Sequence, residues 1–257
     1  MARTVLVTRP GEAGRELAAA LVAAGQPALW LPAFEFGPPP DEALARALLA
    51  DVDAFDLAIV VSPQAARATA ALLARPWPAG TAIAAVGAGT EAVVRAAVAG
   101  AAQVRLLAPP DAGDMTRAGS EALWPLLESL RPSRVLLLRA QGGREWLAEQ
   151  LVAAGAAVTP LAVYSRRPFV PDTALRARLA EAAAAGLASV VSSSDAVGAL
   201  AAMLAPQPEL LRALQAAPAL AAHPRIAERL RAAGFARVAV CPAQAEAIVK
   251  SLREGDR

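Results

Sequence analysis

The chain of 257 residues repeats part of its own sequence at a fixed offset of 130 residues. Residues 5–25, VLVTRPGEAGRELAAALVAAG, align without a gap to residues 135–155, VLLLRAQGGREWLAEQLVAAG, and ten of the 21 positions are identical. The same offset places Val60-Val61-Ser62 on Val190-Val191-Ser192 and Pro38 on Pro168. Two copies of one supersecondary unit therefore fill the chain.

Each copy alternates strand and helix signals. Short apolar runs predict strands at Val5–Thr8, Ala28–Phe34, Leu57–Val61, Ala82–Val86 and Val104–Leu107, and in the second copy near residues 135–138, 157–163, 187–191, 219–221 and 237–240. Helical spacing predicts helices between them, over Glu12–Ala24, from Asp41, after Ser62-Pro63 and from about Thr90. This alternation with short turns predicts an α/β fold of doubly wound parallel sheets with helices on both faces.

Periodicity leaves the relation between the two copies open. The copies could form tandem domains, or each could contribute strands to the sheet of the other. Breaks at Gly37–Pro40 and Ser165–Pro168 lie at matching positions and are suitable points for the chain to cross over. Both arrangements fit the sequence.

Composition excludes several classes of protein. The 25 basic and 23 acidic residues are dispersed, which argues against nucleic acid as a partner. A single cysteine and a single histidine argue against a disulfide framework and a zinc site. No uncharged apolar run reaches the roughly 18 residues of a membrane span, and the first apolar run is too short for a signal peptide. We therefore expect a cytoplasmic protein without membrane contact.

One motif resembles a dinucleotide site. Residues Gly87–Ala92 match the pattern G-x-G-x-x-A between a predicted strand and helix. The motif follows the fourth strand instead of the first, and its acidic partner would have to be Asp111 or Asp114, in a loop. These departures make a nicotinamide cofactor a minor alternative.

Five ordered stretches resemble one family over essentially the full length. They are VLVTRP at the start, D-x-x-I-V-V-S-P from Asp56 to Pro63, AVGAGT from Ala85, LLLRAQGGRE leading to V-x-P-L-A-V-Y-S-R, and VVSSSDAV. This order and spacing resemble uroporphyrinogen-III synthase.

The resemblance implies two flavodoxin-like parallel-sheet domains, residues 1–36 plus 169–257 and residues 37–164. Extended connectors near 35–40 and 164–168 would join them, with a ligand cleft between. It also implies a monomeric carbon-oxygen lyase of tetrapyrrole (heme) biosynthesis without metal or cofactor. Its substrate would be the linear tetrapyrrole hydroxymethylbilane, cyclised with inversion of the last pyrrole ring and loss of water. A transient contact with the upstream deaminase is compatible with this role.

An octacarboxylate substrate needs many anion-binding groups. In open α/β sheets the strand carboxyl ends face helix N-termini, whose free N–H groups favour anions. The strand-to-helix turns therefore supply the candidate substrate contacts: Arg9, Ser62, Gln64, Gly87, Thr90, Arg139, Gly142, Ser192, Ser193, Ser194, His223 and Arg225. Each of Ser62, Thr90 and Ser194 could instead cap a helix, and Arg9 and Arg139 could each form a surface ion pair.

Tyr164 is the candidate catalytic residue. It is the only tyrosine, and the same offset places it on Phe34, so the hydroxyl belongs to the second copy alone. A strand-end aromatic can also serve packing alone. The resemblance implies that this tyrosine assists departure of the substrate hydroxyl, as a phenol can do by donating a hydrogen bond.

The second copy departs from the family pattern at one turn. His223-Pro224-Arg225-Ile226 stands where many relatives carry a Gly-Pro-Thr-Thr-like sequence, so a hydroxyl is missing. Arg225 could replace it as a carboxylate donor. A non-catalytic ligand sensor on the same two-domain fold is the alternative function.

Overall fold

The computed structural model describes residues 3–99, 104–109 and 119–254. These residues form two sheets with helices against them. The chain divides into two compact units: unit 1 comprises Met1–Phe36 and Arg167–Arg257, and unit 2 comprises Gly37–Arg166.

The sheet of unit 1 has five parallel strands. In chain order they are β1 (Thr4–Val7), β2 (Ala28–Trp30), β9 (Leu187–Val191), β10 (Pro218–Ala221) and β11 (Arg237–Val240). Their spatial order, β2-β1-β9-β10-β11, is the flavodoxin-like order 2-1-3-4-5. The order reverses between β1 and β9, where ligands bind in such sheets.

Helices cover both faces of this sheet because its strands are apolar on both sides. Val5 and Val7 pack toward α1 (Glu12–Ala23) and α11 (Ala245–Glu254), whereas Leu6 points to the opposite core, as the alternation of a strand requires. That second core is closed by α7 (Thr173–Ala185), α8 (Ser194–Leu204), α9 (Pro208–Ala216) and α10 (Pro224–Ala232).

The sheet of unit 2 is built in the same way. Its spatial order is β3-β8-β7-β4-β5-β6, and the run from β8 to β6 is parallel. The strands are β4 (Leu57–Val60), β5 (Ala82–Ala85), β6 (Leu106–Leu107), β7 (Arg134–Ala140) and β8 (Ala157–Pro168), with β3 (Phe34–Gly37), whose residues up to Phe36 belong to unit 1, at the edge. The run from β8 to β6 thus corresponds, strand for strand, to the run from β2 to β11 in unit 1.

The helices of unit 2 are α2 (Glu42–Ala50), α3 (Pro63–Leu72), α4 (Ala88–Val94), α5 (Ser120–Leu130) and α6 (Trp146–Ala153). A short 3₁₀ turn spans Val52–Ala54, and a π turn, Arg95–Ala99, follows α4. Leu123 and Leu127 of α5, one helical turn apart, pack with Leu147 of α6 on one face of the sheet.

Strand pairing decides between the two arrangements that the sequence left open. β1 of the first copy pairs with β9 of the second, Val5 opposite Ala188. Reciprocally, β7 of the second copy pairs with β4 of the first, Leu57 opposite Val135. Each unit therefore takes strands from both copies, and the tandem arrangement is wrong.

Two sequence expectations need correction. The strand expected over Ala28–Phe34 is two strands in different sheets, because Pro32 between them has no N–H to donate to a ladder. The segment Ser165–Pro168 is not a break in secondary structure, because β8 continues through Pro168, although the chain does pass from unit 2 to unit 1 between Arg166 and Arg167. The other predicted strands and helices agree with the structure to within a few residues.

Candidate functional site

The predicted site residues lie at the carboxyl edge of one sheet or the other. In unit 1 they follow β1, β9 and β10: Arg9, Ser192, Ser193, Ser194, His223 and Arg225. In unit 2 they follow β4, β5 and β7 or lie on β8: Ser62, Gln64, Gly87, Thr90, Arg139, Gly142 and Tyr164. Parallel strands end at the same edge, so each unit brings together residues that are far apart in sequence.

The turn after β1 is held by side chains on both sides. Thr8 is fully buried, and its hydroxyl donates to the carbonyl of Val190 at 2.9 Å. The indole Nε1 of Trp30 donates to the carbonyl of Arg9 at 2.9 Å. A Cβ at Gly14 would lie 1.8 Å from the Arg9 carbonyl oxygen, so only glycine fits there. These contacts fix the main chain that carries Arg9.

Sequence reasoning missed Trp30 and Arg15 in this turn. The guanidinium of Arg15 lies over the Trp30 ring, 4.4 Å from its centroid. Arg15 is exposed in the first turn of α1, and Arg9 precedes the same helix. The sequence could have indicated this pair, because a second arginine follows Arg9 by six residues and a tryptophan lies in the next strand. The turn therefore carries two arginines, with Glu12 as the acidic residue in the first turn of α1.

Hydroxyl and imidazole groups cap the two other helices at this edge of unit 1. Ser193 accepts a hydrogen bond from the Ala196 amide at 3.2 Å and caps α8. Ser194, considered as the cap from sequence, is instead the first helical residue. The Nδ1 of His223 accepts from the Arg225 amide at 3.1 Å and caps α10, which gives the lone histidine a structural role.

Ser62 and Tyr164 meet in unit 2. Ser62 caps α3 by accepting a hydrogen bond from the Ala65 amide at 3.0 Å. Its Oγ lies 3.3 Å from the phenolic oxygen of Tyr164, a residue 102 positions away that is only 3 % exposed. The carbonyl of Tyr164 accepts from the Gln141 amide at 2.9 Å, which fixes β8 against the turn after β7.

The turn after β5 contributes amides more than side chains. Gly87 occupies the cap position of α4, and no side chain caps that helix. Thr90, considered as a cap from sequence, lies inside α4 and is 4 % exposed. The dinucleotide-like motif occupies this turn; its suggested acidic partners, Asp111 and Asp114, lie outside the described residues.

The turn after β7 holds an ion pair. Arg139 is 13 % exposed and donates from both terminal nitrogens to Glu145, at 2.5 and 3.0 Å. This hydrogen bonding holds the pKa of the Glu145 carboxyl below its usual value. Gly142 and Gly143, which lie between Arg139 and Glu145 in the sequence, have φ angles of 71° and 111°, a region that favours glycine. Of the two interpretations of Arg139, the structure contains the ion pair.

The described residues offer neither a metal-binding cluster nor a membrane-spanning helix. Within residues 3–99, 104–109 and 119–254, no group of three or more His, Cys, Asp or Glu side chains could hold a metal ion. Over the same ranges, no helix combines the length and the apolar character needed to cross a membrane.

The fold and these edges define a class: an α/β protein of two parallel-sheet units whose sheet edges present amides, hydroxyls and arginines suited to anions. The family is shown by sequence. A family model described as "Uroporphyrinogen-III synthase HemD" matches residues 15–249, so the chain belongs to the uroporphyrinogen-III synthase family.

Individual relatives agree with this family. The chain is 34% identical over 168 residues to the uroporphyrinogen-III synthases of Escherichia coli K12 and Salmonella typhimurium LT2. Each alignment covers 63% of this chain and 65% of the relative, so the chain spans just under two thirds of the length of these relatives.

Solved structures agree in fold. A mutant uroporphyrinogen III synthase from the extreme thermophile Thermus thermophilus matches with a TM-score of 0.64 at 21% identity, over 99% of this chain and 98% of that one. The uroporphyrinogen-III synthetase of Helicobacter pylori 26695 matches with a TM-score of 0.62 at 17% identity, over the whole of both chains. The two-unit α/β fold expected from sequence is confirmed.

Proposed function

We propose that this protein is a uroporphyrinogen-III synthase that closes hydroxymethylbilane into a ring, with inversion of the terminal pyrrole and loss of water. The reaction is that of a carbon-oxygen lyase in tetrapyrrole biosynthesis. The observation that carries the proposal is the family match over residues 15–249. The amide-rich sheet edges, which suit a substrate with many carboxylates, support it.

The substrate carboxylates bind at the strand-to-helix turns. Arg9 and Arg225 supply charged donors in unit 1, and Arg139 supplies one in unit 2. The capping groups Ser62, Ser193 and His223 each satisfy one orphan N–H of a helix and leave neighbouring amides for a ligand. Each helix terminus adds about 0.3–1 kcal/mol for an anion. Gln64, Gly87, Thr90, Gly142, Ser192 and Ser194 complete the proposed contacts.

Tyr164 assists departure of the hydroxyl. Its phenol donates a hydrogen bond to the leaving oxygen, the C–O electron pair departs with that oxygen as water, and an azafulvene cation remains. The far pyrrole ring attacks the cation through the carbon that already bears its methylene bridge. That bridge then breaks and re-forms at the free α-carbon of the same ring, which inverts the ring, and the proton lost from this carbon balances the one that left with water. The buried ring of Tyr164, with its hydroxyl beside Ser62, supports this role.

Positioning is the larger part of catalysis. The bilane closes without the enzyme but without inversion, so the protein must hold the conformer that permits inversion. Such positioning can supply several kcal/mol of barrier reduction. Many backbone amides share that positioning task. Tyr164→Phe removes only the proposed proton donor, so it should lower turnover at least tenfold and leave the fold intact.

The deciding experiment is incubation of the protein with enzymatically made hydroxymethylbilane. The products are oxidised and separated by chromatography, with a protein-free sample as control. The type III isomer is expected, whereas the control yields type I. Type I alone in both samples would contradict the proposal and favour a ligand sensor on the same fold.

The organisation of the protein follows from the same family membership. We take the segments near residues 35–40 and 164–168 to be connectors between the domains, and the protein to act as a cytoplasmic monomer without a cofactor. Sedimentation of the purified protein tests the monomer, and full activity after exhaustive dialysis against chelator tests the absence of a metal.

A further inference from the structure

We infer that Arg15 is a further substrate-binding residue, which holds a carboxylate of the substrate at the turn after β1, and that Trp30 positions it. The inference rests on the proposed function, because it assigns one more contact to the same polycarboxylate substrate. Arg15 lies in the first turn of α1, and Trp30 ends the neighbouring strand β2, so both lie with Arg9 at the carboxyl edge of unit 1.

Trp30 is held at two points. Its Nε1 donates to the Arg9 carbonyl at 2.9 Å, and its ring packs against Phe169, with the ring centroids 6.3 Å apart and the planes at 49°. The guanidinium of Arg15 lies 4.4 Å from the centroid of the indole ring, within the range of a cation–π contact. Because the ring is fixed in this way, it keeps the Arg15 guanidinium in one place.

Stacking leaves the donors of Arg15 available. The five N–H groups of a guanidinium point outward in its plane, so a ring against one face blocks none of them. Arg15 is exposed, and within the described part of the chain it forms no ion pair, although Glu12 lies one turn earlier on the same helix and Glu16 is the next residue. Its guanidinium can therefore donate two parallel hydrogen bonds to a carboxylate.

Stability does not account for an arginine at this position. The N-terminal turn of a helix is electropositive, so a cation there is unfavourable, and the cation–π contact with Trp30 offsets that cost by a similar amount. The terminus of α1 and Arg15 instead act in the same direction on an anion, because both attract a carboxylate to this edge. A fixed, exposed cation that adds little to folding is suited to a ligand contact.

The second copy of the repeat lacks this arrangement. The offset of 130 places Arg15 on Glu145 and Trp30 on Pro160, so the equivalent positions supply neither an arginine nor an aromatic ring. In that turn Glu145 pairs with Arg139 instead. Of these two turns, the one after β1 is therefore the one that presents a stacked arginine to a carboxylate.

Steady-state kinetics with hydroxymethylbilane test the inference. Arg15→Met keeps most of the side-chain length but removes the charge, and it should raise KM about tenfold with kcat within about twofold, as expected for a contact away from the reacting atoms. Arg253→Met is the matched control, because it removes the same charge from the last turn of α11, at the opposite edge of unit 1, and should leave KM unchanged. Equal KM values in the two variants would overturn the inference.

Two substitutions at Trp30 test the positioning role. Trp30→Phe and Trp30→Leu both lose the hydrogen bond to the Arg9 carbonyl, but only Trp30→Phe keeps an aromatic face against Arg15. Trp30→Leu should therefore have a KM about threefold higher than Trp30→Phe, and this difference should vanish in the Arg15→Met background. A difference of the same size in that background would refute the positioning role. If a Trp30 variant fails to fold, the comparison of Arg15→Met with Arg253→Met still decides the inference.

Equilibrium dialysis separates this inference from the proposed function. The probe is the oxidised product, an octacarboxylate porphyrin detected by its own absorbance, so binding is measured without turnover. Arg15→Met should weaken the Kd of the porphyrin about tenfold relative to the wild type and to Arg253→Met. An unchanged Kd would refute the Arg15 contact even if type III product forms. Absence of type III product would instead refute the function.

Discussion

The turns after β1 and β7 start from the same repeated sequence but differ in what holds them. In unit 1, α1 begins at Glu12, Gly14 packs against the Arg9 carbonyl, and Arg15 stacks on Trp30. In unit 2, α6 begins only at Trp146, two glycines with positive φ open the turn, and Arg139 is paired with Glu145.

The residues at equivalent positions explain the difference. The offset of 130 places Gly14 on Arg144 and Arg15 on Glu145. Without a glycine at position 144, the second turn cannot close as tightly, and with a glutamate at position 145 its arginine is neutralised. Differences at two positions thus give the same repeated motif two forms. The turn after β1 is tight and carries two arginines, whereas the turn after β7 is open and its arginine is neutralised by Glu145.

The largest effect is expected at Gly14. Gly14→Ala places a Cβ 1.8 Å from the Arg9 carbonyl oxygen and 2.7 Å from Trp30 Nε1, so the turn after β1 must shift. Overpacking at such a site should cost about 3 kcal/mol of unfolding free energy, measured by urea denaturation. Arg144→Ala, at the equivalent position, loses an exposed ion pair to Glu121 and a contact of its guanidinium with the Trp146 ring, 6.0 Å from the centroid, and should cost about 1 kcal/mol. Equal losses in the two variants would show that the turns do not differ.

Arg9 should contribute more to substrate binding than an exposed arginine elsewhere in unit 1. Its guanidinium has no ion pair with any of the described residues, so it is available for a carboxylate. Arg9→Met should raise KM about tenfold, the weight of one charge-assisted hydrogen bond. Arg212→Met removes the same charge from an exposed pair with Glu209 on α9 and should leave KM unchanged. A similar KM in both variants would exclude Arg9 from binding.

Glu145 should compete with substrate for Arg139. Its carboxylate occupies both terminal nitrogens of the guanidinium, the pairing that a substrate carboxylate would make. Glu145→Gln should therefore lower KM about threefold with kcat nearly constant. Steady-state kinetics check this; an increase in KM would mean that Glu145 holds Arg139 in place for the substrate.

The smallest effect concerns the opposite edges of the sheets. In unit 2 the Asp56 carboxylate accepts from the amides of Ser133 and Arg134, at 3.1 and 2.8 Å; the equivalent position in unit 1 is Gly186, without a carboxylate. The Arg134 amide holds the pKa of Asp56 below its usual 3.8.

Because the folded pKa is lowered, the stabilisation from Asp56 is full above about pH 4 and is lost as pH falls through the folded pKa. The Asp56 side chain is 41% exposed, so solvent screens most of this electrostatic stabilisation. Asp56→Asn should lower the melting temperature at pH 7 by about 2 °C, and the difference in melting temperature between the variant and the wild type should disappear on acidification. Melting curves over this range check the sign; a gap that widens in acid would contradict it.

Much of the fold was predictable because its signals are local. Short apolar runs between turns marked the strands, and capping groups such as Ser62 marked helix starts. The site was predictable only as a set of turns. That Ser193 and not Ser194 caps α8, that Thr90 caps nothing, and that Arg139 is paired with Glu145 all depend on where the main chain turns, which residue type alone does not determine.

The amino-acid sequence by itself determined the α/β class, the duplication and the edge of each sheet at which polar groups collect, because periodicity and turn chemistry act over a few residues. Only the tertiary structure decided that the copies exchange strands, since β1 and β7 are similar apolar runs that either sheet could accept. It also decided that Ser62 meets Tyr164, since packing over long sequence separations brings those two hydroxyls together.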